Sequence, residues 1–273
     1  MTGGMTGSDA KAAELFTERY RVGPTDVTRR IERAVIGGDW GANGYTTLAQ
    51  AGKLGAELGL GPGVRLLDLG AGQGWPGLYL ATATGCQVVL ADVPTEGLRS
   101  AAARARAEGV AARAVPVSAS ARRLPFAAGT FDGVAHTDVL CCLRPKLSVL
   151  RASRRVLRPG GRTAFYTIHP AAGLAPAQRR RAARSGAPAV STARPYEDLL
   201  AAAGFTQISR TDCTAEFAET AQAWLSEWDA SFAALAAMYG EQAVAERQRK
   251  RRAQLRAIGD GLLARSLFTA TRP

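Results

Sequence analysis

Residues 66–81 read LLDLGAGQGWPGLYLA, and the fold is decided by how this stretch is read. With Val64 and Arg65 before it, VRLLDLG is an apolar run broken by one acid, Asp68. It is short enough for a parallel strand buried on both faces. Glycines follow at 70, 72 and 74, and a helix is expected from about Pro76. A strand, a glycine turn and a helix bring backbone N–H groups and a helix N-terminus close to a ligand. A dinucleotide loop of the form G-x-G-x-x-G needs its third glycine at position 75, where this chain has Trp75. The loop is therefore built for some other ligand, and a nicotinamide-dependent oxidoreductase is disfavoured.

The rest of the chain extends the same alternation. CQVVLADV (86–93) is a second strand, AARAVPVSAS (111–120) holds a third, FDGVAHTD (131–138) a fourth and GRTAFYTI (161–168) a fifth. Helices are expected at TEGLRSAAARARAEG (95–109), PKLSVLRASRRVLRPGG (145–161) and YEDLLAAAG (196–204). FTQISRTD (205–212) and SLFTATR (266–272) close the series as sixth and seventh strands. Strands alternating with helices predict a doubly wound, seven-stranded, mostly parallel α/β sheet, because each right-handed crossover needs its helix.

Three segments lie outside that rhythm. Residues 1–60 read as helices (9–20, 25–37 and 48–60) joined by the turn-rich DWGANGYTT, and form an N-terminal helical cap. Residues 61–213 and 265–273 make the core. Residues 214–264 read as helix only and form an insertion or lid, with Trp224, Trp228, Phe232, Leu235 and Tyr239 on one stripe. That stripe is either ordinary core over the sheet or an aromatic face turned to a ligand. AVAERQRKRRAQLRAIG (243–259) reads as a basic helix with a solvated face. PAQRRRAARSGAP (176–188) has the composition of an exposed loop beside the expected substrate mouth, either simply solvated or a lid or clamp for an anionic substrate.

The chain has 273 residues, 47% of them hydrophobic, and a formal charge of +12. No apolar run approaches the roughly 18–20 residues that span a membrane. Residues 1–8, MTGGMTGS, carry no signal-peptide-like apolar segment, so a cytoplasmic protein without a membrane partner is expected. Residues 144–184 hold eleven basic residues and no acid, which raises nucleic acid as a partner. Against that, only four of the basic residues in the whole chain are lysines, so an arginine-heavy composition accounts for the charge. Cys86, Cys141, Cys142 and Cys213 show no C-x-x-C spacing, and no metal site is expected.

Asp92 ends the second strand, where a carboxylate can accept hydrogen bonds from ribose hydroxyls. Asp68 is costly to bury unless it caps backbone N–H groups of the loop or meets a charged ligand. Around these residues LLDLGAGQG, VVLADV, RRLPFAAGTFDGVAHTDVLCCL and RRVLRPGGRTAFY stand in the order and spacing of class I S-adenosylmethionine-dependent methyltransferases. The chain resembles the branch containing ubiquinone- and small-molecule-modifying enzymes, over about residues 60–170, with a fainter match at YEDLLAAAGF.

The resemblance implies S-adenosyl-L-methionine as cofactor. Gly70, Ala71 and Gly72, with Asp68 behind them, would pass beneath its methionine part. Asp92 would bind the ribose hydroxyls, and Val93 would lie against the adenine. Ser120 or the backbone at Ala121 would meet the adenine edge, although the family's usual acid is absent at Ser120. His136 and Thr137 would contact the methionine moiety. Methyl transfer is a direct displacement, so the protein mainly positions the partners and excludes water. Where the acceptor carries a proton, His136 or His169 would take it. Asp138 would cap the following helix. Tyr20 and Tyr45 belong to the cap region that would close over the cofactor. The acceptor is expected to be a small organic molecule methylated on O, N or C, and a homodimer is compatible with this reading. Two other readings are an RNA methyltransferase using the basic 144–184 surface and a non-catalytic S-adenosylmethionine-binding regulator.

Overall fold

The computed structural model describes Glu14, Phe16, Thr17, Tyr20 and residues 23–273. The first expected helix, over 9–20, lies largely outside the described residues; the four described within it are helical. All seven expected strands are present: β1 (Arg65–Leu69), β2 (Gln87–Asp92), β3 (Ala114–Ser118), β4 (Phe131–Thr137), β5 (Leu157–Pro170), β6 (Thr206–Asp212) and β7 (Leu263–Thr271). They form one sheet in the order β3-β2-β1-β4-β5-β7-β6. β7 alone runs antiparallel to its neighbours. The chain winds outward from β1 in one direction and from β4 in the other, so the switch point lies between these two strands. Ligands in such sheets bind beyond the carboxyl ends of the strands at the switch point.

The apolar run of β1 supplies both cores. Leu66 packs into the layer with Leu78 and Leu90, while Leu67 and Leu69 face the opposite layer with Val134 and Phe165. This is the period-two alternation of a strand covered on both faces. β5 begins earlier than expected, at Leu157. The register slips between Phe131 and Gly133 of β4, so the Arg158–Gly161 turn joins the strand as an irregularity.

The helices are α1 (Asp26–Ile36), α2 (Leu48–Glu57), α3 (Gly77–Thr84), α4 (Thr95–Ala107), α5 (Lys146–Val156), α6 (Pro176–Ser185) and α7 (Tyr196–Ala202). Between β6 and β7 come α8 (Thr214–Ala230), α9 (Phe232–Tyr239) and α10 (Glu241–Gly259). Thr25 caps α1 with its side chain, and Gly37 ends the helix at φ 86°, where a left-handed residue is needed.

Two expectations change here. The exposed loop expected at 176–188 is largely the helix α6. Pro176 stands in its first turn, Gln178 Oε1 accepts the Ala175 N–H at 2.9 Å, and Ala182 is buried among Phe217, Ala257 and Ile258. Its residues are mostly exposed, and Ala182 with the Arg181–Asp260 pair fastens it beside α10. The aromatic stripe is the second change. A break at Ser231 divides it between α8 and α9. Trp224, Trp228 and Leu235 pack on Ile31, Val35 and Ile36 of α1 and on Trp75. The stripe therefore joins the insertion to the N-terminal helices instead of covering the sheet or lining a ligand site.

Candidate active site

A cavity of about 580 Å³ opens at the carboxyl ends of β1, β2 and β4. One end is built by the glycine turn. Gly70, Gly72 and Gly74 have φ of 69°, 52° and 108°, and these left-handed values explain the repeated glycine. Gly70 and Ala71 donate their N–H groups to the Ala91 carbonyl, which clamps the turn onto β2.

Asp92 closes this turn. Its Oδ2 accepts the Gly72 N–H and its Oδ1 accepts the Val93 N–H, each at 2.7 Å. Burial pushes its carboxyl up to about 6, against those two hydrogen bonds, which favour the charged form. Each oxygen keeps a lone pair for a further donor, so the carboxylate on the cavity wall can accept both hydroxyls of a ribose. Gly70, Ala71, Gly72, Val93, Ser120, Ala121 and Thr137 line the same cavity. Ser120 Oγ also accepts the Arg122 N–H at 3.4 Å. The donor set thus suits a nucleoside carrying a polar tail.

Asp68 is placed behind this wall. It is buried, and its Oδ2 accepts the Gly77 N–H at 3.0 Å, fastening β1 to the start of α3. Burial holds its carboxyl well above the usual carboxylate range. Trp75 does two things. It packs with Tyr79, their ring centroids 5.7 Å apart, beneath the N-terminal helices, and it also reaches the cavity.

Neither histidine lines the cavity, and a proton-accepting role does not fit where they lie. His136 is 1% exposed and stacks on Phe165 at 4.4 Å between centroids, and both its ring nitrogens lack a hydrogen-bond partner. The side chain points into the core layer that holds Phe165, on one of the two covered faces of the sheet. Burial pulls its pKa down to about 3. His169 is tied to Ser266 Oγ at 3.0 Å and to the Pro170 carbonyl at 2.9 Å.

The buried imidazole of His136 has a measurable consequence. Its folded pKa lies below the ordinary imidazole value of 6.5, so its contribution to stability is present above pH 6.5 and is lost as the pH falls toward 3. Urea unfolding should show wild type losing roughly 2 kcal/mol of stability between pH 7.5 and 5 from this group alone. His169, whose pKa is also lowered by burial, adds in the same direction. H136L should flatten that portion of the dependence; an unchanged slope would contradict the assignment.

Sequence reasoning missed the next set of residues. Asp138 does not cap a helix. It sits at φ 55° on the cavity wall, and its two oxygens accept hydrogen bonds from Arg265 Nε and an Arg265 terminal nitrogen, both at 3.0 Å. Arg265 is fully buried and also donates to Gln50 Oε1 at 2.9 Å and Thr46 Oγ1 at 2.7 Å. One guanidinium thereby joins β7, α2 and the end of β4. The strap holding Gly44 and Tyr45 lines the cavity. Trp224 Nε1 donates to the Gly44 carbonyl at 3.0 Å, and the Tyr45 hydroxyl hydrogen-bonds Gln254.

α10 is the third change. Arg247 and Arg251 on its basic side are half-buried and line the cavity; Lys250, exposed and paired with Glu246, and Arg184 of α6 also reach it. No periodicity in 243–259 signals this. Arg247 and Arg251 lie over the Trp228 ring, each 4.3 Å from its centroid, and that contact exists only once α8 and α10 have packed.

The comparisons with known proteins agree with this geometry. A family described as a methyltransferase domain matches residues 67–165. Methyltransferase GfsG of Streptomyces halstedii is 32% identical over 210 residues, which cover 73% of this chain and 73% of that protein. The 27-O-demethylrifamycin SV methyltransferase of Amycolatopsis mediterranei is 35% identical over 164 residues, or 59% of this chain; the match spans only 60% of that relative. In fold the chain is similar to Haemonchus contortus phosphoethanolamine N-methyltransferase 2 solved with S-adenosyl-L-methionine. The TM-score is 0.76 at 21% identity, covering 94% of this chain and 60% of that one. With the glycine turn, the Asp92 carboxylate and the switch-point cavity in place, the chain belongs to the class I S-adenosylmethionine-dependent methyltransferases, and S-adenosylmethionine is its cofactor.

Proposed function

We propose that this methyltransferase acts on a hydroxyl oxygen of a bulky organic acceptor, with S-adenosylmethionine at the glycine-turn end of the cavity. The observation that carries this reading is the continuity of that cavity. It runs from Gly72 and Asp92 to a compartment walled by Tyr45, Val139, Leu143, Ile168 and Pro188. A volume of about 580 Å³ falls within the range of ligand pockets, roughly 300–1,000 Å³. The choice of oxygen is supported by the printed activity of the rifamycin relative.

In this reading Gly70, Ala71 and Gly72 pass beneath the methionine portion, Asp92 holds the ribose, and Val93, Ser120 and Ala121 flank the adenine. Thr137 meets the tail. Bound S-adenosylmethionine supplies a methyl group already activated by the sulfonium charge. The chain's residues hold the acceptor in line and keep water out, the strap at Tyr45 and helix α10 serving as the roof. Asp138, held by Arg265, accepts the hydrogen of the attacking hydroxyl and orients its lone pair. The N-terminal helices and 214–264 act together as the lid.

The RNA alternative loses its main support in the fold. Several of the basic residues of 144–184 are drawn into local contacts. Arg154 donates to Gly204, Arg155 to Leu124 and Phe126, Arg158 pairs with Asp132, Arg162 with Glu57, and Lys146 is buried.

The test is incubation with methyl-labelled S-adenosylmethionine and a panel of hydroxylated macrocyclic and polycyclic natural products, read by mass spectrometry. The expected product gains one methyl group on oxygen. Transfer to nitrogen, or to RNA alone, would overturn the reading, and cofactor binding with no transfer would favour the regulatory one. D138N should lower kcat on the order of tenfold to a hundredfold while leaving S-adenosylhomocysteine affinity unchanged.

A further inference from the structure

α6 is a helix with little packed on it. Of its ten residues only Ala182 is buried, among Phe217, Ala257 and Ile258. Arg179, Arg180, Arg181 and Arg184 are all exposed, and the helix has no acid. α10 lies beside it and carries six basic residues against two acids. The two helices therefore hold +8 of the chain's formal +12.

Part of this charge is open to a partner. Arg180, Arg184, Arg249 and Arg256 are exposed, and their side chains make no hydrogen bond or ion pair among the described residues. Arg180 and Arg184 stand four apart on α6, and Arg249, Arg252 and Arg256 stand three and four apart on α10. Like charges at these spacings destabilise a helix. The packing does not call for them, since α10 buries Val244, Gln248, Gln254, Ala257 and Ile258 instead. Position gives the patch a direction, because the end of α6 and the segment after it, Arg184 to Pro188, line the cavity.

The class of partner follows from what is mixed with the arginines. Glu246 pairs with Lys250, Asp229 with Arg252 and Asp260 with Arg181. These acids repel the continuous charge of a phosphate backbone. Carboxylates spaced along a helix can meet the open guanidiniums and pass between the acids. A membrane-binding face needs large apolar side chains as well, and among the described residues the only exposed one is Val115, on the edge strand β3.

We propose that α6 and α10 form a docking surface for an acidic protein segment, a helix bearing carboxylates on one face, beside the acceptor end of the cavity. The surface goes beyond the choice of methyl acceptor and does not depend on it.

The test is the fluorescence anisotropy of a labelled, alanine-based helical peptide with glutamate at every fourth position, set against its glutamine counterpart. The glutamate peptide should bind about tenfold tighter or more. R180Q/R249Q/R256Q should lose about tenfold in that affinity, as three exposed ion pairs together give. R106Q/R113Q/R151Q removes the same charge from exposed arginines outside the two helices, and should lose less than about threefold. Equal losses in the two triple variants would reduce the effect to net charge and overturn the proposal. So would equal binding of the glutamate and glutamine peptides. Binding of poly-U RNA or of phosphatidylglycerol vesicles through the same three arginines, without binding of the peptide, would assign the surface to nucleic acid or membrane and overturn it too. S-adenosylhomocysteine affinity and Tm, read on the same preparations, should match wild type in both variants. Failure of the docking surface is therefore distinguished from misfolding and from failure of the methyltransferase reading.

Discussion

D92N is expected to weaken S-adenosylhomocysteine binding by about a hundredfold or more. The carboxylate does two jobs at once: it satisfies the Gly72 and Val93 N–H groups and leaves lone pairs for the ribose. Asparagine has one acceptor oxygen and turns a donor toward one of those N–H groups. Losing two charge-assisted hydrogen bonds at about 1.5 kcal/mol each amounts to about 3 kcal/mol, or two decades of affinity. Calorimetric titration measures it, and a loss below about fivefold would remove Asp92 from the cofactor site.

Wild-type binding should also depend on pH. Burial raises the free carboxyl to about 6, whereas hydroxyl donors favour its ionised form. Affinity is therefore expected to fall by up to about tenfold per pH unit below 6, and D92N should be flat. The sign for stability is opposite. A carboxyl raised from 3.8 to about 6 stabilises the free fold below pH 3.8, and this is lost as the pH rises through 6. Above pH 6 the ionised Asp92 costs the ligand-free protein on the order of 3 kcal/mol, which ligand binding offsets.

R265L is expected to lower stability by about 3–5 kcal/mol, because it leaves the Asp138 carboxylate in a largely buried position without its counter-ion. Thr46 and Gln50 lose their partner in the same step. For a chain of this size the shift in Tm is on the order of 10 °C. The double variant R265L/D138L removes the stranded charge and should recover part of the loss, since an ion pair replaced as a unit costs less than one broken in half. Thermal unfolding of the single and double variants separates the two contributions. A single-variant loss below about 1 kcal/mol would mean that water reaches Asp138 and that the guanidinium does not hold it.

What could be read in the sequence follows a physical division. LLDLG, VVLAD and FDGVAHT are runs whose neighbours along the chain already dictate an extended, covered strand, and the glycines at 70, 72 and 74 report backbone angles that other residues resist. Such local signals gave the strands, their order in the chain and the cofactor turn. The same logic put Asp92 on the cavity wall, because the carboxyl end of a strand beside the switch point faces the cavity whatever packs on the sheet.

Residues whose role depends on a distant partner were not legible. His136 and Asp138 are two apart, yet one lies in the core and the other on the cavity wall. Asp138 owes its role to Arg265, a residue 127 positions further along the chain. Arg247 and Arg251 look like a solvated face until α8 brings Trp228 beneath them. By itself the sequence determined the fold, the cofactor and the shape of the glycine turn, since these rest on periodicity and backbone conformation within short segments. Only the tertiary structure decided the rest of the cavity wall, because burial, ion pairing and the facing of a side chain are set by elements that meet after folding.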